Sequence, residues 1–153
     1  TDDEGLYEQL FYNLNTTGAV LSPFDSYQLI RGLKTLALRM ERSTENAKKV
    51  VEFLKGHPAV KEVLYTGKGG MVSFKVSHQE KIPTILNHLQ VFTVAESLGG
   101  VESLITYPTT QTHADIPAEV RHSYGLTDDL LRLSIGIEDA RDLIEDLEQA
   151  LAR

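Results

Sequence analysis

The sequence predicts an α/β fold of the α+β sandwich type, in which helices cover one face of a small, mainly antiparallel sheet. Residues 23–55 carry apolar side chains at alternating spacings of three and four, which is typical of a helix. Met71–Val76 alternates apolar and polar residues, which is typical of a strand. Residues 139–152 carry a second apolar stripe of helical period. Short strands and helices in mixed order favour one sheet covered on one side.

The 153 residues have the length of one compact domain, and a single domain over residues 1–153 is predicted. Residues 1–22 are expected to be a connecting segment with a short helix. Ser22 and Pro23 then predict a helix start, because serine caps a helix and proline suits its first position. One long helix, either straight or bent, is predicted over residues 23–55, since glycine and proline follow it closely.

Residues 60–153 are predicted to form the sheet and the helices that cover it. Strands are expected at residues 60–65, 71–76, 91–95, 104–107 and 130–137, and helical segments at 80–89, at 117–122 and from Asp139 onward. Side chains alternate along the last strand, so one set should face the core: Leu131, Leu133, Ile135 and Ile137. The alternate set is Arg132, Ser134 and Gly136, and the helices leave its side of the sheet uncovered.

Composition excludes several classes of function. The chain contains no cysteine, which excludes disulfides, thiolate metal sites and a cysteine nucleophile. Its five histidines lack metal-ligand spacing, so no metal is expected. A formal charge of −7 argues against sequence-independent binding of nucleic acid. No apolar run has the roughly 20 residues of a membrane helix. We therefore expect a cytoplasmic protein with neither nucleic-acid nor membrane partners.

Arg132 is the sharpest candidate for a binding residue. A strand holds its guanidinium rigidly, and the planar fork of that group can bind a carboxylate through two parallel hydrogen bonds. Two simpler interpretations stay open. The guanidinium could pair with Asp128 or Asp129, which lie close in sequence, or it could be solvated, since charged strand residues usually face water.

Two further segments offer candidate ligand contacts. Glu96 and Ser97 precede a pair of glycines, and glycines let a backbone turn sharply or approach a ligand closely. A structural turn is the alternative for this segment. Thr112 lies in a polar stretch, residues 109–113, that suits either a binding loop or an ordinary surface loop.

Five segments in order over nearly the whole chain carry a resemblance to a known family. They are GAVLSPFD (18–25), RGLKTLALRME (31–41), ESLGGVESLI (96–105), TH (112–113) and LRLSIGIED (131–139). Together they resemble the Cys/Met-metabolism enzymes that use pyridoxal phosphate (PLP). This transsulfuration family includes cystathionine gamma-synthase, gamma-lyase and beta-lyase. The resemblance implies the C-terminal domain of a fold-type I PLP enzyme, without the large PLP-binding domain.

The resemblance also implies roles for individual residues. Arg132 would bind the α-carboxylate of an amino-acid substrate, and Ser97 and Thr112 would line the pocket. Glu96 matches the gamma-acting members and favours a cystathionine gamma-synthase-like activity. That activity is γ-replacement of an O-acylhomoserine by cysteine in methionine biosynthesis. The alternatives are a gamma-lyase domain, a beta-lyase domain and a non-catalytic domain that binds carboxylates or a protein partner.

The chain departs from the family pattern in two places. The family's Schiff-base lysine lies in a Ser-x-Thr-Lys motif, and no lysine here has that context. The resemblance therefore implies no catalytic residue in this chain, PLP in the full-length parent, no cofactor bound to this chain alone, and no activity without the missing domain. The parent is expected to be a homotetramer. The connection at residues 65–70, expected to be a plain turn, is shorter than usual. It is either a deletion or a site where a flexible stretch is absent from the sequence, and the second interpretation is favoured.

Overall fold

The first unit of the protein is a helical segment. The computed structural model describes residues 1–153, which form two compact units, residues 1–37 and 38–153. The first unit contains α1 (Glu4–Thr17) and α2 (Pro23–Leu33). Ser22 caps α2, because its Oγ accepts a hydrogen bond from the amide of Asp25 at 3.1 Å. The predicted helix start at Ser22 and Pro23 is confirmed.

The prediction of one helix over residues 23–55 is wrong, because the helix is interrupted after Leu33. The next helix, α3, spans Leu36–Gly56. At the break the Thr35 amide donates to the Gly32 carbonyl at 3.4 Å, a three-residue spacing that belongs to a tighter turn. Glycine is also a poor helix former. The apolar periodicity conceals the break, since Lys34 keeps right-handed helical angles, φ −60° and ψ −25°.

The second unit is built on a five-stranded sheet in the order β1-β2-β5-β4-β3. Its strands are β1 (Val60–Leu64), β2 (Met71–Val76), β3 (Thr93–Val94), β4 (Leu104–Thr106) and β5 (Leu130–Ser134). All neighbouring strands are antiparallel except β3 and β4, which are parallel. The remaining helical elements are a 3-10 turn (Gln79–Lys81), α4 (Ile82–His88), α5 (Ala118–Ser123) and α6 (Ala140–Leu151).

One face of the sheet carries the hydrophobic core. Val72, Leu133 and Ile105 are cross-strand neighbours on β2, β5 and β4, and all three are buried. They belong to the same core as apolar side chains of α3, α4 and α6, such as Leu54 and Leu143. Each fully buried side chain of this kind contributes about 1.5–3 kcal/mol. The predicted fold class is confirmed: a mainly antiparallel sheet with helices on one face.

Two strands are shorter than predicted, for reasons that lie elsewhere in the chain. Residues 91–95 reduce to the two residues of β3 because the buried carboxylate of Asp146 accepts from the amides of Gln90, Val91 and Phe92, at 2.8, 2.8 and 2.9 Å. Those amides are therefore not free to pair in a sheet.

The strand β5 is also shorter than predicted. It ends at Ser134, so Ile137 lies outside it. The prediction that Ile137 faces the core is wrong, since this side chain is 38% exposed.

No helix of the protein combines the length and the apolar character needed to cross a lipid bilayer.

Candidate functional site

The sheet face opposite the core carries the predicted binding residue. Arg132 lies on β5, the central strand, between Ser73 of β2 and Thr106 of β4 in register. Strand residues alternate between faces, so these three side chains share the side that α3 and α6 do not cover. We call this side the Arg132 face, defined by Ser73, Arg132 and Thr106.

The guanidinium of Arg132 has no acidic partner. Its Nη2 donates to the hydroxyl of Thr106 at 3.2 Å, and its Nε is buried without any hydrogen-bond partner. Asp128 instead accepts from Nη1 of Arg121 at 3.2 Å, and Asp129 pairs with Lys61. The interpretation that Arg132 pairs with Asp128 or Asp129 is therefore wrong.

Nearby charges are already neutralised by other partners. Burial raises the pKa of Asp129, but hydrogen bonds from Lys61 and Thr127 outweigh that effect and hold the pKa below its usual value. Lys75 pairs with Glu62 across β1 and β2 at 2.7 Å. Arg132 is thus a cation whose charge is not matched by a carboxylate of this chain.

The segment 96–100 is held against the Arg132 face at both ends. The hydroxyl of Thr106, which accepts from Arg132, donates to the Ala95 carbonyl at 2.6 Å. The Gly99 amide donates to the hydroxyl of Ser134 at 2.9 Å. Ser134 follows Arg132 by two residues on the same face of β5, a separation of roughly 7 Å. The exposed side chains of Glu96 and Ser97 lie between these two attachment points.

Two glycines are required for this arrangement. Gly99 has a φ of 77°, in the left-handed region that side-chain-bearing residues rarely adopt. A Cβ on Gly136 would lie 2.1 Å from the backbone oxygen of Val101. A side chain at position 136 would therefore push away the backbone that follows segment 96–100.

Thr112 lies in a different loop, which follows β4. Its Oγ1 is 2.8 Å from Nδ1 of the adjacent His113, and Thr112 is exposed. The side-chain oxygen of Gln111 accepts from the Tyr107 amide at 2.7 Å and closes this loop next to Thr106. The structure thus joins Arg132 to segment 96–100 through shared hydrogen bonds, but it does not bond Thr112 to either of them.

Three polar residues of the site were not singled out from the sequence. Thr106 binds Ala95, the residue before segment 96–100, Ser134 binds Gly99 within it, and the buried hydroxyl of Thr109 has no hydrogen-bond partner. The alternation along β5 placed Ser134 on the face of Arg132 but indicated no role for it. Thr106 and Thr109 stand beside other polar residues in sequence, where no pattern separates them from a surface loop.

The connection between β1 and β2 is a complete tight turn. The Tyr65 hydroxyl donates to the Gly69 carbonyl at 2.9 Å, and the Gly69 amide donates to the hydroxyl of Thr44 on α3 at 3.1 Å. Gly67 and Gly69 have φ values of 87° and 78°. The turn is therefore closed by its own hydrogen bonds and anchored to α3.

Comparison with known proteins decides the family. A family model described as "Cys/Met metabolism PLP-dependent enzyme" matches residues 1–152. The chain belongs to this family. Cystathionine gamma-synthase of Haemophilus influenzae is 54% identical over 147 residues, which are 96% of this chain and 40% of the relative. Cystathionine gamma-lyase of Bacillus subtilis is 47% identical over 167 residues, or 99% of this chain and 44% of the relative.

A solved structure of this family has the same fold. The crystal structure of cystathionine gamma synthase from Xanthomonas oryzae, in complex with aminoacrylate and cysteine, superimposes with a TM-score of 0.88 at 42% identity. The match covers 98% of this chain and 43% of that one. Relatives named cystathionine beta-lyase match as well. The predicted C-terminal fold of a fold-type I PLP enzyme is confirmed, and the chain spans about 40% of the length of the curated relatives.

The two curated relatives differ in the length of the matched region. The alignment with the H. influenzae synthase spans 147 residues, and 96% of this 153-residue chain is also about 147 residues. It therefore contains no net insertion. The alignment with the B. subtilis lyase spans 167 residues on a chain of 153, so the lyase carries extra residues within the matched region.

The cofactor of the family needs a lysine amine for its aldehyde. Of the eight lysines, all are exposed except Lys75, and Lys75 is paired with Glu62. The chemistry available on the Arg132 face is recognition of an anion by a guanidinium, hydroxyls and backbone amides.

Proposed function

We propose that this chain is the substrate-binding C-terminal domain of a PLP-dependent enzyme of the cystathionine gamma-synthase type. The observation that carries the proposal is the state of Arg132, a half-buried guanidinium with one neutral partner, Thr106, and a buried Nε that bonds to nothing. A buried donor without a partner costs about 1–3 kcal/mol. A substrate α-carboxylate would satisfy Nε and the second nitrogen of the fork together.

The neighbouring side chains suit the rest of an amino-acid substrate. Ser97 lies on the segment held over the Arg132 face, and its exposed hydroxyl can contact a ligand bound to Arg132. Glu96 precedes it and would influence the incoming or leaving group. Thr112 would line the pocket from the loop after β4, which requires that the ligand bridge the two segments.

The reaction proposed for the complete enzyme is γ-replacement. The Cγ–O bond of an O-acylhomoserine breaks, the S–H bond of cysteine is replaced by a bond between sulfur and Cγ, and the acyl group leaves as a carboxylate with release of the thiol proton. PLP, held by the rest of the longer protein, supplies the electron sink for this chemistry when bound. The residues of this chain bind and orient the substrate. The chain alone is expected to be inactive, and the complete enzyme is proposed to be a cytoplasmic homotetramer.

Two observations support the synthase over its alternatives. Glu96 is the residue that the family resemblance associates with gamma-acting members, which favours the synthase and the gamma-lyase over the beta-lyase. In addition, the chain aligns with the H. influenzae synthase without net insertion, whereas the B. subtilis gamma-lyase has a longer matched region.

Substitution of Arg132 in the complete enzyme tests this proposal. Arg132→Ala should lower kcat/KM for the O-acylhomoserine about 10- to 100-fold, because a charge-assisted pair is worth roughly 1.5–3 kcal/mol. Arg132→Lys should recover only part of the loss, since an ammonium cannot form the planar fork. The effect should fall mainly on KM.

The exposed C-terminal arginine provides a matched control, and Arg153→Ala should leave the kinetics unchanged. Unchanged kinetics in Arg132→Ala would remove this residue from substrate binding. Tight, Arg132-dependent binding of amino acids by the 153-residue chain alone would favour the non-catalytic carboxylate-binding domain instead.

A further inference from the structure

The carboxylate of Glu138 binds the end of the connection between β3 and β4, residues 95–103. Its Oε1 accepts from the Ser103 amide at 2.5 Å, and its Oε2 accepts from the Ser103 hydroxyl at 2.9 Å. Ser103 has no exposed surface and immediately precedes β4. Both oxygens of this carboxylate are therefore bonded to one residue, at the point where the connection enters the sheet.

We propose that Glu138 is a positioning residue for the proposed reaction. It fixes the connection 95–103, and it thereby holds Glu96 and Ser97 in place relative to Arg132. The inference rests on the proposed function. Glu138 acts through Ser103 and is given no contact with the substrate.

The residues after β5 bind this connection at several points. The Ile137 amide donates to the Val101 carbonyl at 2.9 Å, and the Gly136 amide donates to the Ser103 hydroxyl at 2.8 Å. The bond from the Gly99 amide to β5 belongs to the same set. The carboxylate is the charged member of this set, and charge-assisted hydrogen bonds are roughly twice as strong as neutral ones. It therefore makes the largest single contribution to holding the connection.

Helix α3 fixes the backbone from which the carboxylate extends. Nδ2 of the buried Asn46 donates to the carbonyls of Gly136 and Glu138, at 3.2 and 2.9 Å. Nη2 of Arg42 donates to the same Glu138 carbonyl at 3.3 Å. A Cβ on Gly136 would lie 2.5 Å from Oε2 of Glu138, so glycine leaves the space that the carboxylate occupies. The carboxylate thus reaches Ser103 from a fixed position.

Removal of the carboxylate would leave the Ser103 amide buried without an acceptor. Because Ser103 has no exposed surface, its amide reaches solvent only if the backbone rearranges. The other end of the connection stays bonded to Thr106. Segment 96–100 would then be free to shift over the Arg132 face. A misplacement of about 1 Å in a positioned site can slow a reaction by up to about 100-fold.

Kinetics of the complete holoenzyme separate positioning from binding. Glu138→Ala should lower kcat for γ-replacement of an O-acylhomoserine by cysteine about tenfold. KM should change less than about twofold, because Arg132 still binds the α-carboxylate. Glu138→Gln should stay within about threefold of the unmodified enzyme, since its amide oxygen still accepts from Ser103. Glu145→Ala, which removes an exposed carboxylate of α6, is the control and should change neither constant.

A combined substitution distinguishes positioning from general destabilisation. In an enzyme that already carries Glu96→Ala and Ser97→Ala, Glu138→Ala should lower kcat less than about threefold, because nothing is left to position. A residue that only stabilises the fold would cost about tenfold in both backgrounds. An equal cost in both, or an effect confined to KM, overturns the role given to Glu138.

Hydrogen exchange in the holoenzyme tests the contact independently of the reaction. Glu138→Ala should accelerate exchange at the Gly99 amide and leave the amides of β2 unchanged. Ser103→Ala removes one of the two bonds to the carboxylate, should give a smaller acceleration, and replaces Glu138→Ala if that variant does not fold. Unchanged exchange at Gly99 overturns this inference alone. Unchanged kinetics in Arg132→Ala overturn the proposed function and, with it, the catalytic part of this inference.

Discussion

The two units of the protein differ in how far they bury their apolar side chains. In the first unit, α1 and α2 contain no buried residue, and Phe11, Tyr12 and Phe24 are 59%, 69% and 68% exposed. In the second unit the sheet and its helices bury an extensive core, including Phe74 and Leu54. The second unit therefore has a hydrophobic core, whereas the first leaves its large apolar side chains exposed.

Exposed apolar side chains of this kind are typical of interaction surfaces on soluble proteins. The chain spans about 40% of its curated relatives' length. The candidate site residues Glu96, Ser97, Thr112 and Arg132 lie on the second unit.

Two phenylalanines offer the strongest test of this contrast. Phe74→Ala should lower the free energy of unfolding by about 3–5 kcal/mol, because it opens a cavity in a closed core. Phe24→Ala should change it by less than about 0.5 kcal/mol, since that side chain is already exposed. Urea unfolding of the 153-residue chain measures both. A comparable loss in Phe24→Ala would show that the first unit has a core of its own.

A buried carboxylate of the second unit, Asp146, provides a second test of what stabilises that unit. Asp146→Ala should lower the free energy of unfolding by about 2–4 kcal/mol, because three backbone amides before β3 lose their acceptor. Asp142→Ala, one turn earlier and exposed on α6, is the control and should cost about 1 kcal/mol or less. Hydrogen exchange at Gln90, Val91 and Phe92 should accelerate in Asp146→Ala. Unchanged protection there would contradict the role given to Asp146.

The smallest expected effect concerns the start of α6. Hydrogen bonds from Arg141 lower the pKa of Asp139 to about 2. A carboxyl with a lowered folded-state pKa stabilises the fold above its unfolded pKa of about 3.9, and that contribution disappears as pH falls toward 2. The slope of unfolding free energy against pH between 4 and 2 should therefore be shallower in Asp139→Asn. An identical slope would show that the cap does not stabilise α6.

Local patterns predicted the elements that depend on local chemistry. The helix start at Ser22, strand β2 and the helix after Asp139 follow from caps and from apolar spacing, and the structure contains each of them. The placement of Arg132 on the face opposite the core also follows from alternation along β5. The family membership, first indicated by motifs, is confirmed by comparison.

Where the predictions failed, a distant contact or a small backbone change was responsible. At the break, Lys34 keeps helical backbone angles, so the apolar spacing continues through it and does not reveal the break. β3 is short because Asp146, more than fifty residues away in sequence, takes up the amides before it. No local pattern reports such a contact.

The sequence alone determined the fold class, the family and the strand that carries Arg132, because periodicity, caps and motifs are properties of neighbouring residues. Only the tertiary structure decided that Asp128 and Asp129 have other partners, that Thr106 and Ser134 bind Ala95 and Gly99, and that the Nε of Arg132 is buried and unsatisfied. Those facts depend on which strands become neighbours in the sheet. Hydrogen bonds form between groups that are close in space, whatever their separation along the chain.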